Sequence, residues 1–182
     1  FFMEKTGILC HGRHLQANDW ELHQWGDEKN GRLGQILKTM YIASKLNPEV
    51  IVFGTGASEK DGVKESEYTI RYMLENFSRV RNFTQFKDQV IWDLQEMMQD
   101  RSIAEVNSQN TNQELDYAGN IFIEREVNKI IIVSNPDHIG RCMQLAHVTY
   151  NQSKFKKFDQ VYGAQSEVGY NGTEKSTTRM IE

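Results

Sequence analysis

Cysteine is nearly absent from this chain of 182 residues, which carries only Cys10 and Cys142. Two such residues, one in an expected strand and one in an expected helix, build no disulfide framework and no CxxC metal motif, and read as small buried side chains. A basic excess is missing as well. The formal net charge of -4 argues against nucleic acid as the main partner, because phosphate backbones demand a concentrated cationic face. Nothing is long and apolar enough to span a membrane, and no signal peptide is visible, so a cytoplasmic location is the expectation. The chain opens FFMEK without an initiator Met, which leaves room for an upstream anchor or leader. Repeats and low-complexity tracts are absent. An apolar fraction of 38% and a charged fraction of 25% are those of a folded protein rather than a disordered one.

What is present is an alternation of apolar runs and amphipathic stretches over one domain's worth of chain, residues 1–182. TGILC (Thr6–Cys10), EVIVF (Glu49–Phe53), SIAEV (Ser102–Val106), KIIIV (Lys129–Val133) and FDQVYGA (Phe158–Ala164) read as five strands. From Arg32, apolar residues recur at three- and four-residue steps to Leu46, and Asn47-Pro48 ends that helix. A helix from Ser66 to Leu74 follows, then a helical stripe through Phe83, Phe86, Val90, Leu94 and Met97, a helix holding Leu115, Ala118 and Phe122, and one over RCMQLAHVTY. The tail near 168–182 looks irregular. Strands alternating with helices predict an α/β, Rossmann-like three-layer sandwich with a mostly parallel sheet of about five strands.

In such sheets ligands sit beyond the carboxyl ends of the strands, where backbone amides and helix N-termini collect. Those ends carry His11, Gly12, Arg13 and His14; Gly54, Thr55 and Gly56; Ser108, Asn110 and Thr111; and Ser134, Asp137, His138 and Arg141. Hydroxyl, amide, imidazole and guanidinium groups at four exits suit phosphate or carboxylate, and His138 can exchange a proton near neutral pH. GTGAS lacks the third glycine of a dinucleotide fingerprint, and no GxxxxGK[ST] loop or Gly-x-Ser-x-Gly elbow occurs. His11, His14, Cys10 and His23 match no zinc spacing, so no metal site is expected, and Cys10 with His11 is no catalytic pair because strand neighbours point to opposite faces.

Arg32-Leu33, FGTG, Ser66-Glu67, SQNTNQ (Ser108–Gln113) and VSNPDHIGR (Val133–Arg141) resemble, in that order, the motifs of the bacterial ElyC/SanA/YdcF family over about Thr6 to Tyr150. Thr55, Tyr68, Gln113, Glu114 and Ser134-Asn135 depart from that pattern, and residues near 83–99 look like a helical insertion. The resemblance implies a Rossmann-like fold with one pocket built from Arg32, Gly54, Gly56, Glu67, Ser108, Asn110, Thr111, Ser134, His138 and Arg141. It also implies links to envelope biogenesis and, in one branch, to S-adenosylmethionine. Gly12 and Thr55 join the ligand-binding set as strand-end residues. His138 and Glu67 form the only obvious proton-transfer pair, although Glu67 can equally cap its own helix. Three functions stay open at this point: a hydrolase or transferase acting on a small anionic, phosphate- or nucleotide-like ligand, a non-catalytic S-adenosylmethionine or nucleoside binder, and an envelope-assembly factor.

Overall fold

The computed structural model describes residues 3–169. Most of the tail expected to be irregular, residues 170–182, lies outside them. In chain order the elements are β1 (Thr6–Cys10), α1 (Trp20–Gln24), β2 (Gly26–Asp27), β3 (Arg32–Leu33), α2 (Gln35–Leu46), β4 (Val50–Phe53), β5 (Glu59–Lys60), β6 (Val63–Lys64), α3 (Glu65–Glu75), α4 (Ile91–Arg101), β7 (Ser102–Ala104), α5 (Thr111–Glu124), β8 (Lys129–Ser134), α6 (Ile139–Tyr150) and β9 (Gln160–Gln165). Five of the strands form one sheet in the order β7-β4-β1-β8-β9, every pairing parallel. The other four make two small antiparallel hairpins, β2–β3 and β5–β6.

The middle strands are apolar throughout because both of their faces are covered. Ile8, Ile51, Phe53, Ile131 and Val133 pack on one side with α2, α3 and α4, while Leu9, Val50, Val52, Ile130 and Ile132 pack on the other with α5 and α6. This is the three-layer α/β sandwich expected of such strands. In chain order the sheet reads third, second, first, fourth, fifth, so the winding reverses between β1 and β8. Chains that wind outward in both directions leave a crevice at that reversal, beyond the strand carboxyl ends. Among the described residues no helix is long and apolar enough to cross a membrane.

Two local expectations are corrected. The helix expected from Arg32 begins at Gln35, since Arg32 and Leu33 pair with Asp27 and Gly26 in a hairpin. Gly26 and Gly31 take positive φ there, and a Cβ on Gly34 would lie 2.7 Å from the backbone of Gln24. The stripe expected from Phe83 to Met97 is one short 3-10 turn, Thr84–Phe86, followed by α4, and Val90 at its middle is exposed, because the chain turns before Val90 instead of continuing. The connection after β1 contains α1 and β2, and Trp20 and Trp25, at the two ends of α1, are buried against Tyr72.

Phe53 is fully buried, whereas Trp92 is 75% exposed. Denaturant titration is therefore expected to show Phe53→Ala losing about 3–5 kcal/mol and Trp92→Ala shifting stability by no more than about 0.5 kcal/mol.

Candidate functional site

Period-two alternation fixes the first functional side chain. Ile8 and Cys10 face the α2 layer, so Leu9 and then His11 face the α5 and α6 layer. The backbone N–H of His11 still donates to Val133 at 2.9 Å, which holds the residue in line with β8. From that same layer comes Glu114, in the first turn of α5, and its Oε2 lies 2.6 Å from His11 Nδ1. Its Oε1 accepts the Gly12 N–H at 3.2 Å. Both side chains are 2% exposed, so this is an ion pair taken out of water. Burial works against charge on His11, but the adjacent Glu114 carboxylate outweighs it and pushes the imidazole up to about 10.

The third and fourth members come from the start of α6. His138 is its N-cap and Cys142 lies four residues on, so one helical face presents both. The His11 and His138 rings meet edge to face with centroids 5.6 Å apart. Cys142 is fully buried beside them, and while burial alone raises a thiol, the two imidazoles outweigh it and bring Cys142 down to about 7. Ligating atoms of His11, His138 and Cys142 all lie within 4.8 Å of one another. A cleft of about 460 Å³ opens in front of His138, lined also by Gly12, Arg13, His14, Ser134 and Asn135. It sits at the reversal between β1 and β8, where the topology places it.

A second buried carboxylate, Glu65, stands behind Gly12. It accepts hydrogen bonds from the Thr55 hydroxyl at 3.0 Å and from the Ser58 hydroxyl, and Ser58 in turn accepts the Leu15 N–H at 3.0 Å. Burial holds its carboxyl above the ordinary glutamate range, against the pull of those hydroxyls, and repulsion from Glu114 adds to the rise.

Of the residues expected at the site, Gly12, Ser134 and His138 line the cleft. Several others have different employment. Glu67 is exposed and accepts the Lys64 N–H at 3.3 Å, which makes it a helix cap rather than the proton-transfer partner of His138. Arg32 belongs to the β2–β3 hairpin, and Arg141 is exposed, since the inward position on α6 falls at the fourth residue from His138 and not at the third. Asn110 caps α5 by accepting the Gln113 N–H at 2.9 Å, with Thr111 as the first helical residue. Ser108 gives its hydroxyl and its N–H to Glu105.

Nor do the glycines cradle a ligand. A Cβ on Gly12 would fall inside the Glu65 carboxylate, one on Gly54 inside the Glu114 carboxylate, and one on Gly56 inside the Val106 carbonyl. Thr55 is spent on Glu65 and on accepting the Ala57 N–H at 3.1 Å.

Sequence reasoning passed over Glu65, Glu114 and Cys142. Among the described residues the group of possible metal ligands that the fold assembles is His11 with His138 and Cys142, and it leaves out His14, Cys10 and His23. The His138-x-x-x-Cys142 spacing at a helix start was the one local signal available. Comparison of the chain with protein-family models, curated proteins and solved structures gives no match.

The raised carboxyl of Glu65 has a signed consequence. An acid whose folded-state pKa lies above its ordinary 4.5 contributes stability below that value and loses it as pH rises through the raised one. Denaturant titrations of wild type and Glu65→Gln at pH 4.5 and 7.5 are expected to show the difference moving in favour of Gln at the higher pH, and an opposite slope contradicts the assignment. Glu67→Ala, by contrast, is expected to cost only about 0.5–2 kcal/mol, as loss of a cap does.

Proposed function

We propose that the cleft at the ends of β1 and β8 binds a small anionic ligand, phosphate- or nucleotide-like, and that the protein hydrolyses it or transfers a group from it. The observation that carries this reading is His138, an imidazole on the cleft wall at the sheet's topological reversal, backed by the buried His11–Glu114 pair. A volume of about 460 Å³ suits a small molecule. The wall supplies suitable groups: Arg13, His14 and His138 as cationic or proton-bearing partners, and the Ser134 hydroxyl, buried without a hydrogen-bond partner, which a ligand oxygen would satisfy. Arg13 is already anchored to Asp19 at 2.5 Å, so its guanidinium is held in place before a ligand arrives. Kinship with the ElyC/SanA/YdcF proteins is part of the same proposal, and the strand-end positions of Gly54, Ser108, Ser134 and His138 support it.

Thermal-shift titration with inorganic phosphate, nucleotides, sugar phosphates and S-adenosylmethionine tests the reading. A ligand at one hundred times its Kd stabilises by about 2.7 kcal/mol, which raises Tm by roughly 5–10 °C in a domain of this size. That shift is expected to disappear in His138→Gln and in Ser134→Ala and to persist in Arg32→Ala. Stabilisation by S-adenosylmethionine alone favours the nucleoside-binding reading over the anionic-ligand one. No stabilisation by phosphate, nucleotides or sugar phosphates defeats the proposal.

A further inference from the structure

His11 is oriented for more than an ion pair. Its Nδ1 is committed to Glu114, while Nε2, in a side chain 2% exposed, has no hydrogen-bond partner among the described residues. The Cys142 sulfur is near enough to feel the ring's charge, but no hydrogen bond of normal length and angle closes on Nε2. A buried nitrogen left without a partner costs stability unless something supplies a bond. Around it stand the other two groups, His138 and Cys142, with all three ligating atoms within 4.8 Å.

Two chemistries use a thiol between imidazoles. A nucleophilic cysteine needs a path to its substrate, and Cys142 has no exposed surface. Metal ligation needs only lone pairs aimed at one point. We propose that His11 Nε2, the His138 imidazole and Cys142 Sγ hold a divalent transition metal of borderline softness, zinc(II) in first place, with a fourth position open to the cleft. Two nitrogens and one thiolate form a ligand set that zinc accepts, and three protein ligands with one open position are the pattern of a reactive rather than a purely structural zinc. Glu114 then has the usual second role at such centres: it holds the Nδ1 proton, fixes the ring orientation and raises the basicity of Nε2.

Bond lengths of about 2.0 Å to nitrogen and 2.3 Å to sulfur draw the three donors to roughly 3.3–3.8 Å from one another. The contraction falls on His138, the one partly exposed member, at a helix N-cap where its side chain has room to turn. Ligation is an exchange without oxidation. The proton of the Cys142 thiol and any proton on Nε2 pass to solvent as the metal–sulfur and metal–nitrogen bonds form. The part played by the fourth position rests on the cleft's being a site for anions, but the binding of the ion does not.

Titration of the purified, metal-stripped protein with cobalt(II) and with zinc(II) tests the assignment in the absence of any anionic ligand. One equivalent of cobalt is expected to give a thiolate-to-metal charge-transfer band and the intense visible bands of a tetrahedral centre, and zinc is expected to displace it. The bands should vanish in Cys142→Ser, persist in Cys10→Ser, and need about 10- to 100-fold more metal in Glu114→Gln. His138→Ala, which alters a partly exposed residue, guards against misfolding and is also expected to lose them. Adding phosphate to the cobalt form should shift the visible bands. Absence of cobalt binding in wild type, or binding with no thiolate band, overturns the metal site. A normal cobalt spectrum that phosphate leaves unmoved overturns only the open position and the anion reading on which it rests.

Discussion

The carboxylate of Glu114 is removed from water at the point where β1 and β4 end, and much of the surrounding architecture answers to it. One oxygen holds His11 and the other holds the Gly12 backbone, while the side chain lies across Gly54 with its Cγ 2.8 Å from where a Cβ would stand. A buried ion pair of this kind gains little over apolar packing, but removing one partner alone typically costs about 3–5 kcal/mol. Its value is geometric. It ties the first turn of α5 to the exit of β1 beneath it, and it fixes which nitrogen of His11 faces inward toward α6.

The consequences run outward in order. With Nδ1 engaged, Nε2 faces Cys142 and His138, the two residues that the first turn of α6 brings to one face. Because the sheet reverses its winding between β1 and β8, this group stands at the bottom of the crevice that the topology opens. Glu65 closes the back of the same region, filling the space that Gly12 leaves and held there by Thr55 and Ser58. Two buried glutamates, each nested against a glycine, thus fill the space that a ligand-cradling loop was expected to leave open.

The middle of the sheet was legible because its strands are apolar on both faces, a pattern set by burial and independent of any partner. Helices bearing an apolar face on a regular 3.6-residue period were legible for the same reason. Arg32 was misplaced because a helix pattern runs on into residues whose backbone Gly31 and Gly34 divert into a hairpin. At the site, residues just after strands were readable as a set, and Gly12, Ser134 and His138 came from that rule. Glu114 and Cys142 were not, since each is an ordinary helix residue until the long-range contact is made: Glu114 meets a partner 103 positions earlier in the chain, a separation that follows from the two residue numbers. Glu65 and Glu67 stand two positions apart on α3 and so point about 200° apart, which leaves the motif residue Glu67 exposed and Glu65 buried.

The central claim is that Gly54 is glycine because Glu114 occupies the place of its side chain. A double-mutant cycle with Gly54→Ala and Glu114→Ala, followed by denaturant titration, measures that dependence directly. The account predicts a large penalty for Gly54→Ala in the wild-type background and a much smaller one once Glu114 is alanine. Equal penalties in the two backgrounds would contradict it.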